Sequence, residues 1–237
     1  PSLFSQVYYG EDGSIHVLGE TLDTPSRDLE DETLALDADA VEEYEHYGYG
    51  VLMESDGTGT ATVSLEDSSL DATFERSGDL YLTGFGGYDF ADYAVTLRGG
   101  SALTADGTAN GGSAYTSAIE LGDDTESENV TLTVTGSKIT ATATASGEAV
   151  AKGVKASGYS DVTAALTSSL VEVDATSSGS SVQARGFQVG GNSLLDLDMN
   201  DSTIETTATG LAGNTSDVHA RGIFTRRNTT VADDMPN

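Results

Sequence analysis

Apolar and polar residues alternate in short runs along this chain, and the runs repeat. Ile139, Ala141 and Ala143 share one face of a strand whose other face is Thr140, Thr142 and Thr144. Val171, Val173 and Ala175 match that inner set one period later, and Ile204, Thr206 and Ala208 match it again. Upstream, Leu103 with Ala105, Leu70 with Ala72 and Phe74, and Leu36 with Ala38 and Ala40 fit the same column. A second kind of segment puts a small residue before a large apolar one, as in Gly50-Val51, Gly84-Phe85, Ala118-Ile119, Gly153-Val154, Gly186-Phe187 and Gly222-Ile223, spaced 34, 34, 35, 33 and 36 residues apart. A third carries Val63, Val95, Val130, Val162 and Leu195, with Thr or Asp between its apolar positions. Self-similarity at such a period marks a repeat architecture, and three strand-like segments per period predict the coils of a β-solenoid.

Inner residues of the first segment are small after its first position, so that wall should run close to its neighbours around a narrow core. Glycine inside a strand pattern marks a bend or a close backbone approach. Gly84, Gly153, Gly186 and Gly222 are therefore expected at a corner of each coil. The remaining joints are Gly, Ser, Asn and Asp clusters such as Asn110–Gly112, Ser177–Ser180 and Gly190–Asn192. Val7–Gly13 followed by Ile15–Val17 parallels Val51–Gly57 followed by Ala61–Leu65, so the repeat should begin near residue 7, with 19–33 as a loop insertion. Residues 1–237 read as one β-solenoid segment. Neither end has the polar cap that keeps a solenoid soluble. That favours a stretch of a longer protein, or a subunit whose open ends another chain covers.

Charge narrows the partners. Asp and Glu number 39 against 10 Lys and Arg, a formal net charge of −29. Phosphate recognition wants clustered cations, so nucleic acid is excluded as an expected partner. Cysteine is absent, which removes disulfides and thiolate metal sites. No apolar run approaches the roughly 20 residues that span a bilayer, and no signal peptide is evident. Asn129, Asn200, Asn214 and Asn228 stand in Asn-X-Ser/Thr, a pattern that so Ser- and Thr-rich a chain produces readily by chance.

Three short strands per coil, Gly/Ser/Thr/Asn/Asp corners, no cysteine and an acidic balance resemble the right-handed single-stranded parallel β-helix, here of about six coils of ~34 residues. The scarcity of lysine and the outward threonine ladders resemble the passenger domains of bacterial autotransporters and related surface adhesins. The resemblance is architectural and covers about residues 7 to 233. It implies a secreted or cell-surface, extracellular location.

Two outward columns carry candidate chemistry. Lys152, Arg185 and Arg221 hold one place in three successive coils, after Thr83 and Ser117. They form either a docking strip for an anionic glycan or a partner's acids, or a set of long cations neutralising an acidic surface. Surface ion pairs of that kind are common and individually weak, which makes the second the simpler reading. Asp196 with Asp198 and Glu172 with Asp174 are outward pairs, and Glu205 should stack on Glu172. Like charges so opposed destabilise a sheet, so these five are the candidate calcium ligands; otherwise the carboxylates splay into water. No cofactor is expected apart from that candidate calcium. Tyrosines gather early, at Tyr8, Tyr9, Tyr44, Tyr47, Tyr49, Tyr81, Tyr88 and Tyr93. Such rings stack on sugars or plug the wider part of a core.

The paired acids Asp123-Asp124 and Asp233-Asp234 lack the basic or histidine neighbours that glycoside hydrolysis would want, and His219 reads as a surface histidine. The expected function is non-catalytic: a rigid, surface-exposed scaffold adhering to a glycan, a host protein or sister cells through many weak contacts. The alternatives are a subunit of an extracellular filament or surface layer that self-associates through open solenoid ends, and a polysaccharide-active enzyme suggested by fold alone.

Overall fold

A computed structural model describes residues 6–9, 15–18, 26–30, 33–35, 47–54, 60–88, 90–122, 128–157, 159–191, 193–211, 217–225 and 230–232. The chain starts with an antiparallel pair, β1 (Gln6–Tyr9) and β2 (Ile15–Leu18). Next come β3 (Ser26–Glu30), β4 (Thr33–Ala35), β5 (Tyr47–Glu54) and β6 (Thr60–Glu66). Two long strands, β7 (Ser69–Tyr88) and β9 (Ala102–Leu121), flank β8 (Asp92–Arg98). From there the coils are regular: β10 (Asn129–Thr135), β11 (Lys138–Ala145) and β12 (Ala149–Ala156); β13 (Asp161–Thr167), β14 (Leu170–Ser177) and β15 (Ser181–Val189). The last elements are β16 (Leu194–Asn200), β17 (Thr203–Gly210), β18 (Asp217–Thr225) and β19 (Thr230–Ala232).

From β3 onward every pairing between coils is parallel, which makes the chain a parallel β-solenoid of about five turns. The first wall stacks β4, the front of β7, the front of β9, β11, β14 and β17. The second stacks β5, the back of β7, the back of β9, β12, β15 and β18. The third is a seven-stranded sheet, β19-β16-β13-β10-β8-β6-β3. Leu70, Leu103, Ile139, Val171 and Ile204 lie one above another on the first wall, as their spacing predicts.

Four expectations change. Leu34, not Leu36, pairs with Leu70; Leu36 lies outside the described residues. On the third wall Val63 and Val95 align with Leu132, while Val130 continues the column of Ala61 and Tyr93. Both slips are of two residues, because alternation fixes which face a residue takes but leaves even-numbered shifts degenerate. Residues 26–30, expected within a loop insertion, are strand β3 in register with β6. The segment from residue 7, expected as a partial coil, is the β1–β2 antiparallel pair, separate from the stacked sheets.

A serine corner joins the third wall to the first. Ser68, Ser137, Ser169 and Ser202 each donate a hydroxyl hydrogen bond to the carbonyl two residues back, at 2.6 to 3.0 Å. The Ser169 and Ser202 oxygens also receive the backbone N–H of the serine one coil before: Ser137 N–H donates to Ser169 Oγ at 3.4 Å and Ser169 N–H to Ser202 Oγ at 3.1 Å. Ser68 N–H donates to Ser101 Oγ in the same way at 3.2 Å. The residue before each serine has positive φ: Asp67, Gly100, Gly136, Ser168 and Asp201. A left-handed residue reverses the chain, and the serine satisfies the backbone groups that the turn leaves unpaired.

The core is narrow because walls one and two face each other through small residues. A Cβ added at Gly153 would stand 2.7 Å from Val171 Cγ1 and 3.2 Å from Val173 Cγ2, which belong to the next coil. The expected corner glycines Gly84, Gly153, Gly186 and Gly222 sit inside continuous strands. They mark the point where the in-out alternation reverses. In β15, Val182, Ala184 and Gly186 are buried, with Gln183 and Arg185 half-exposed; Phe187 directly follows Gly186 into the core, and Val189 continues the new phase.

Two stability measurements test this packing. At Gly186 a Cβ would meet the Gly222 carbonyl oxygen at 2.4 Å and Ile204 Cγ2 at 2.3 Å, whereas at Gly222 its only neighbour among the described residues is Ile204 Cγ2 at 3.8 Å. Gly186→Ala should therefore lower unfolding free energy by about 1–3 kcal/mol, and Gly222→Ala should leave denaturant midpoints nearly unchanged. Equal effects would refute the close approach as the reason for glycine. Thr116 is fully buried and its Oγ1 has no hydrogen-bond partner among the described residues. Thr116→Val keeps the shape and removes the unsatisfied hydroxyl, which should stabilise the fold by about 1–2 kcal/mol; a lower midpoint would show that the hydroxyl is satisfied after all.

Candidate functional site: a groove on the second wall

The reversal at the small-residue column bends each second-wall strand, and its outer side becomes concave. Residues pointing away from the core before and after the bend therefore face one another. Thr83, Ser117 and Gln188 point outward yet are nearly fully buried. Val150 is also covered without joining the core cluster. Two adjoining hollows of about 160 and 340 Å³ share Tyr115, Lys152 and Lys155 and run along this face.

Register fixes what lines the groove. One outward column reads Tyr81, Tyr115, Val150, Gln183, His219, with the backbone of Tyr47 paired to Tyr81 one coil earlier. The next reads Tyr49, Thr83, Ser117, Lys152, Arg185, Arg221, so the cation ladder stands in consecutive coils as its spacing predicts. Beyond the bend, Glu120, Lys155, Gln188 and Phe224 succeed one another. The groove thus changes along its length, from aromatic to cationic.

At the aromatic end the Tyr81 and Tyr115 rings stack with centroids 4.7 Å apart and planes 10° from parallel. Tyr49 and Tyr88 meet edge to face at 6.2 Å. The Tyr49 ring lies over Gly86, where an added Cβ would be 3.0 Å from it. Tyr115 donates its hydroxyl proton to Glu148 Oε2 at 2.7 Å. Burial, then the Glu148 hydrogen bond and charge, then Tyr81, push the Tyr115 phenol from 10.0 up to about 12.

In the middle, Lys155 Nζ pairs with Glu120 Oε1 of the coil before. Burial pushes the Glu120 carboxyl up, but the charges of Lys155 and Lys152 and hydrogen bonds from Lys155 and Ser117 outweigh it and hold the group below its ordinary range. At the cationic end Arg185 donates to the side-chain oxygens of Gln183 and Gln188. Its guanidinium carbon also sits 4.2 Å from the Phe224 ring centroid, with that of Arg221 at 4.9 Å. One ring thus steadies two guanidinium groups through cation–π contact.

The candidate calcium ligands do not converge. Glu172, Asp174 and Glu205 stand on the first wall, with Glu205 in register with Glu172. Asp196 and Asp198 stand on the third. Lys138 Nζ pairs with Glu172 Oε2 at 2.5 Å, which relieves the stacked glutamates. Among the described residues no group of three or more His, Cys, Asp or Glu side chains is placed to hold a metal ion. His219 Nε2 lies 2.6 Å from Asp217 Oδ1. Asp123, Asp124, Asp233 and Asp234 lie outside the described residues.

Sequence reading placed the cations and the tyrosines separately and missed that they share a groove. It also missed Glu120, Lys155, Gln188 and Phe224. Their signal is the reversed alternation after each small-large pair, which turns the residue following the large one outward. No helix among the described residues is long and apolar enough to cross a membrane. No family model, no curated protein and no solved structure matches the chain.

A raised phenol pKa stabilises the folded state below the unfolded value and loses that stabilisation as pH rises through the folded one. The Tyr115 contribution should accordingly be intact below pH 10 and vanish by about pH 12. Glu148→Gln should shift the late phenolate absorbance transition downward and flatten the fall of unfolding free energy over that interval. An unchanged transition would remove Glu148 as a cause.

Proposed function

We propose that this chain is a non-catalytic, surface-exposed β-solenoid scaffold that adheres to carbohydrate through the second-wall groove. The observation that carries this reading is the union, in one concave strip, of stacked tyrosines with cations and amides. Tyr81 and Tyr115 each cover one face of the other's ring, and their edges are what the pair offers to a sugar's C–H groups. Gln183 is half-exposed beside Arg185, and its side-chain oxygen, which accepts from that guanidinium, keeps a second lone pair for a hydroxyl donor. An open groove crossing several coils suits an extended ligand held by repeated weak contacts, which add through effective concentration. The resemblance to autotransporter passenger domains and surface adhesins fits such a scaffold and suggests an extracellular or cell-surface location. Sister cells or a host surface would then be reached through their glycans.

The test is binding of the whole chain to an immobilised panel of linear oligosaccharides. At least one class should bind, and the double variant Tyr81→Ala/Tyr115→Ala should weaken that binding several-fold, in line with roughly 0.5–1.5 kcal/mol for an aromatic contact. The far-ultraviolet spectrum should keep its β signature. If the folded chain binds no member of the panel, the carbohydrate reading falls.

A further inference from the structure

We propose that Tyr81 and Tyr115 are a modification site: an intramolecular dityrosine cross-link that ties two successive coils of the second wall through their outward rings. The two residues are backbone partners on the long strands β7 and β9. Their rings lie face to face, with centroids 4.7 Å apart and planes 10° from parallel. That is the geometry the coupling requires. The unpaired electron of an oxidised phenol occupies the ring's π system, whose lobes point along the ring normal, so stacked rings aim those lobes at each other. Tyr49 and Tyr88, on the same face, meet at 85° with centroids 6.2 Å apart. There the lobes of one ring point at the edge of the other, and coupling is not favoured. Closeness alone does not select the pair; parallel planes do.

The site also takes up the proton and admits the oxidant. A phenol gives up an electron far more readily when its proton leaves with it. Tyr115 already donates its hydroxyl hydrogen bond to Glu148 Oε2 at 2.7 Å, within the reach of direct proton transfer. Tyr81 is 37% exposed and open to solvent, while Tyr115 is half-buried and less open to rings of other molecules. The chain has neither cysteine nor tryptophan, which leaves tyrosine as its readiest one-electron donor. The oxidant is hydrogen peroxide acting through a peroxidase. Each phenol loses one electron and one proton, and the two radicals join through a carbon–carbon bond ortho to the hydroxyls. The hydrogens on those two carbons then move to the oxygens and restore both phenols. The two electrons and two protons released reduce one peroxide to two waters. Joining residues a full coil apart restricts the unfolded chain as a disulfide does, in a protein that has no cysteine to form one. Neither the cross-link nor its test depends on carbohydrate binding.

The experiment treats the whole folded chain, dilute enough to suppress contacts between molecules, with a peroxidase and limiting hydrogen peroxide. Products are followed by dityrosine fluorescence and located by peptide mass spectrometry. The main product should be a monomer lighter by two hydrogens, with the peptides carrying Tyr81 and Tyr115 joined. Tyr81→Phe and Tyr115→Phe should each remove it. Tyr159, more exposed than Tyr81 at 44%, should be a minor site, and Tyr159→Phe should leave the main product in place. Glu148→Gln should slow its formation several-fold near neutral pH while the far-ultraviolet spectrum stays unchanged. The same treatment in concentrated denaturant should lose the preference for the pair, and the cross-linked protein should unfold at a higher denaturant midpoint than the untreated one. Cross-links spread among tyrosines according to exposure, or joining mainly separate chains, overturn the assignment. So does a preference that survives denaturation, or a folded chain that yields no dityrosine where the denatured one does. An unchanged rate in Glu148→Gln overturns that carboxylate as the proton acceptor, and an unchanged midpoint overturns the cross-link as a staple between coils.

Discussion

Everything distinctive in this molecule depends on how closely successive coils approach at the small-residue column of the second wall. Parallel strands in register bring each small residue against the carbonyl of the coil above. At Gly186 a Cβ would stand 2.4 Å from the Gly222 oxygen. Removing the side chain lets the strand bend there without losing its flanking partners: Lys152 still pairs with Arg185, and Val154 with Phe187. On the inner side the bend sends two successive residues into the core, which widens it enough for Phe85, Ile119, Val154 and Phe187. On the outer side the same bend makes a concavity. Core and groove are two faces of one deformation, so the groove runs wherever the stacking does.

That origin explains why polar side chains can be nearly buried outside the core. Ser117 and Gln188 have the polarity and the strand position of surface residues, yet the bend folds neighbours over them. Withdrawing charge from water is costly unless partners compensate, and the groove shows the compensation. Glu120 has Lys155 and Lys152, and Arg185 has two glutamines and an aromatic ring. On the first wall, where no bend shelters them, Glu172 and Glu205 stack with Lys138 pairing only one of them. Solvent does the rest. A bound calcium is therefore not required to explain that ladder.

The coil and its three walls were legible because burial imposes a period of two within strands and of about 34 between coils. Their finer register was not, since Leu34 and Leu36, or Val130 and Leu132, satisfy the same alternation and differ only in which neighbour they meet. Strand β3 escaped notice because Ser26–Glu30 carries a single apolar residue, and its place comes from pairing with β6. The serine corner was written plainly, two residues before each first-wall apolar position, at Ser68, Ser101, Ser137, Ser169 and Ser202. It was missed because serine in a turn cluster looks like loop composition until its hydrogen bonds are seen. The cation ladder was visible as spacing. Its enclosure was not, because spacing places these residues on the outward side and carries no sign that this side is concave.

A repeat fold also turns one position per period into a column whose chemistry varies along an axis. Residues 49, 83, 117, 152, 185 and 221 are Tyr, Thr, Ser, Lys, Arg and Arg, all held in one line by the same pairing. Nothing in the stacking demands that order, for every one of them satisfies the outward position of a bent strand. The fold supplies the groove and its pitch, while the residues supply a direction, aromatic toward the first coils and cationic toward the last. A ligand lying in it would meet different groups at its two ends. Under the proposed reading, the two directions of a polar chain would meet the groove differently, as they would not on a uniform ladder.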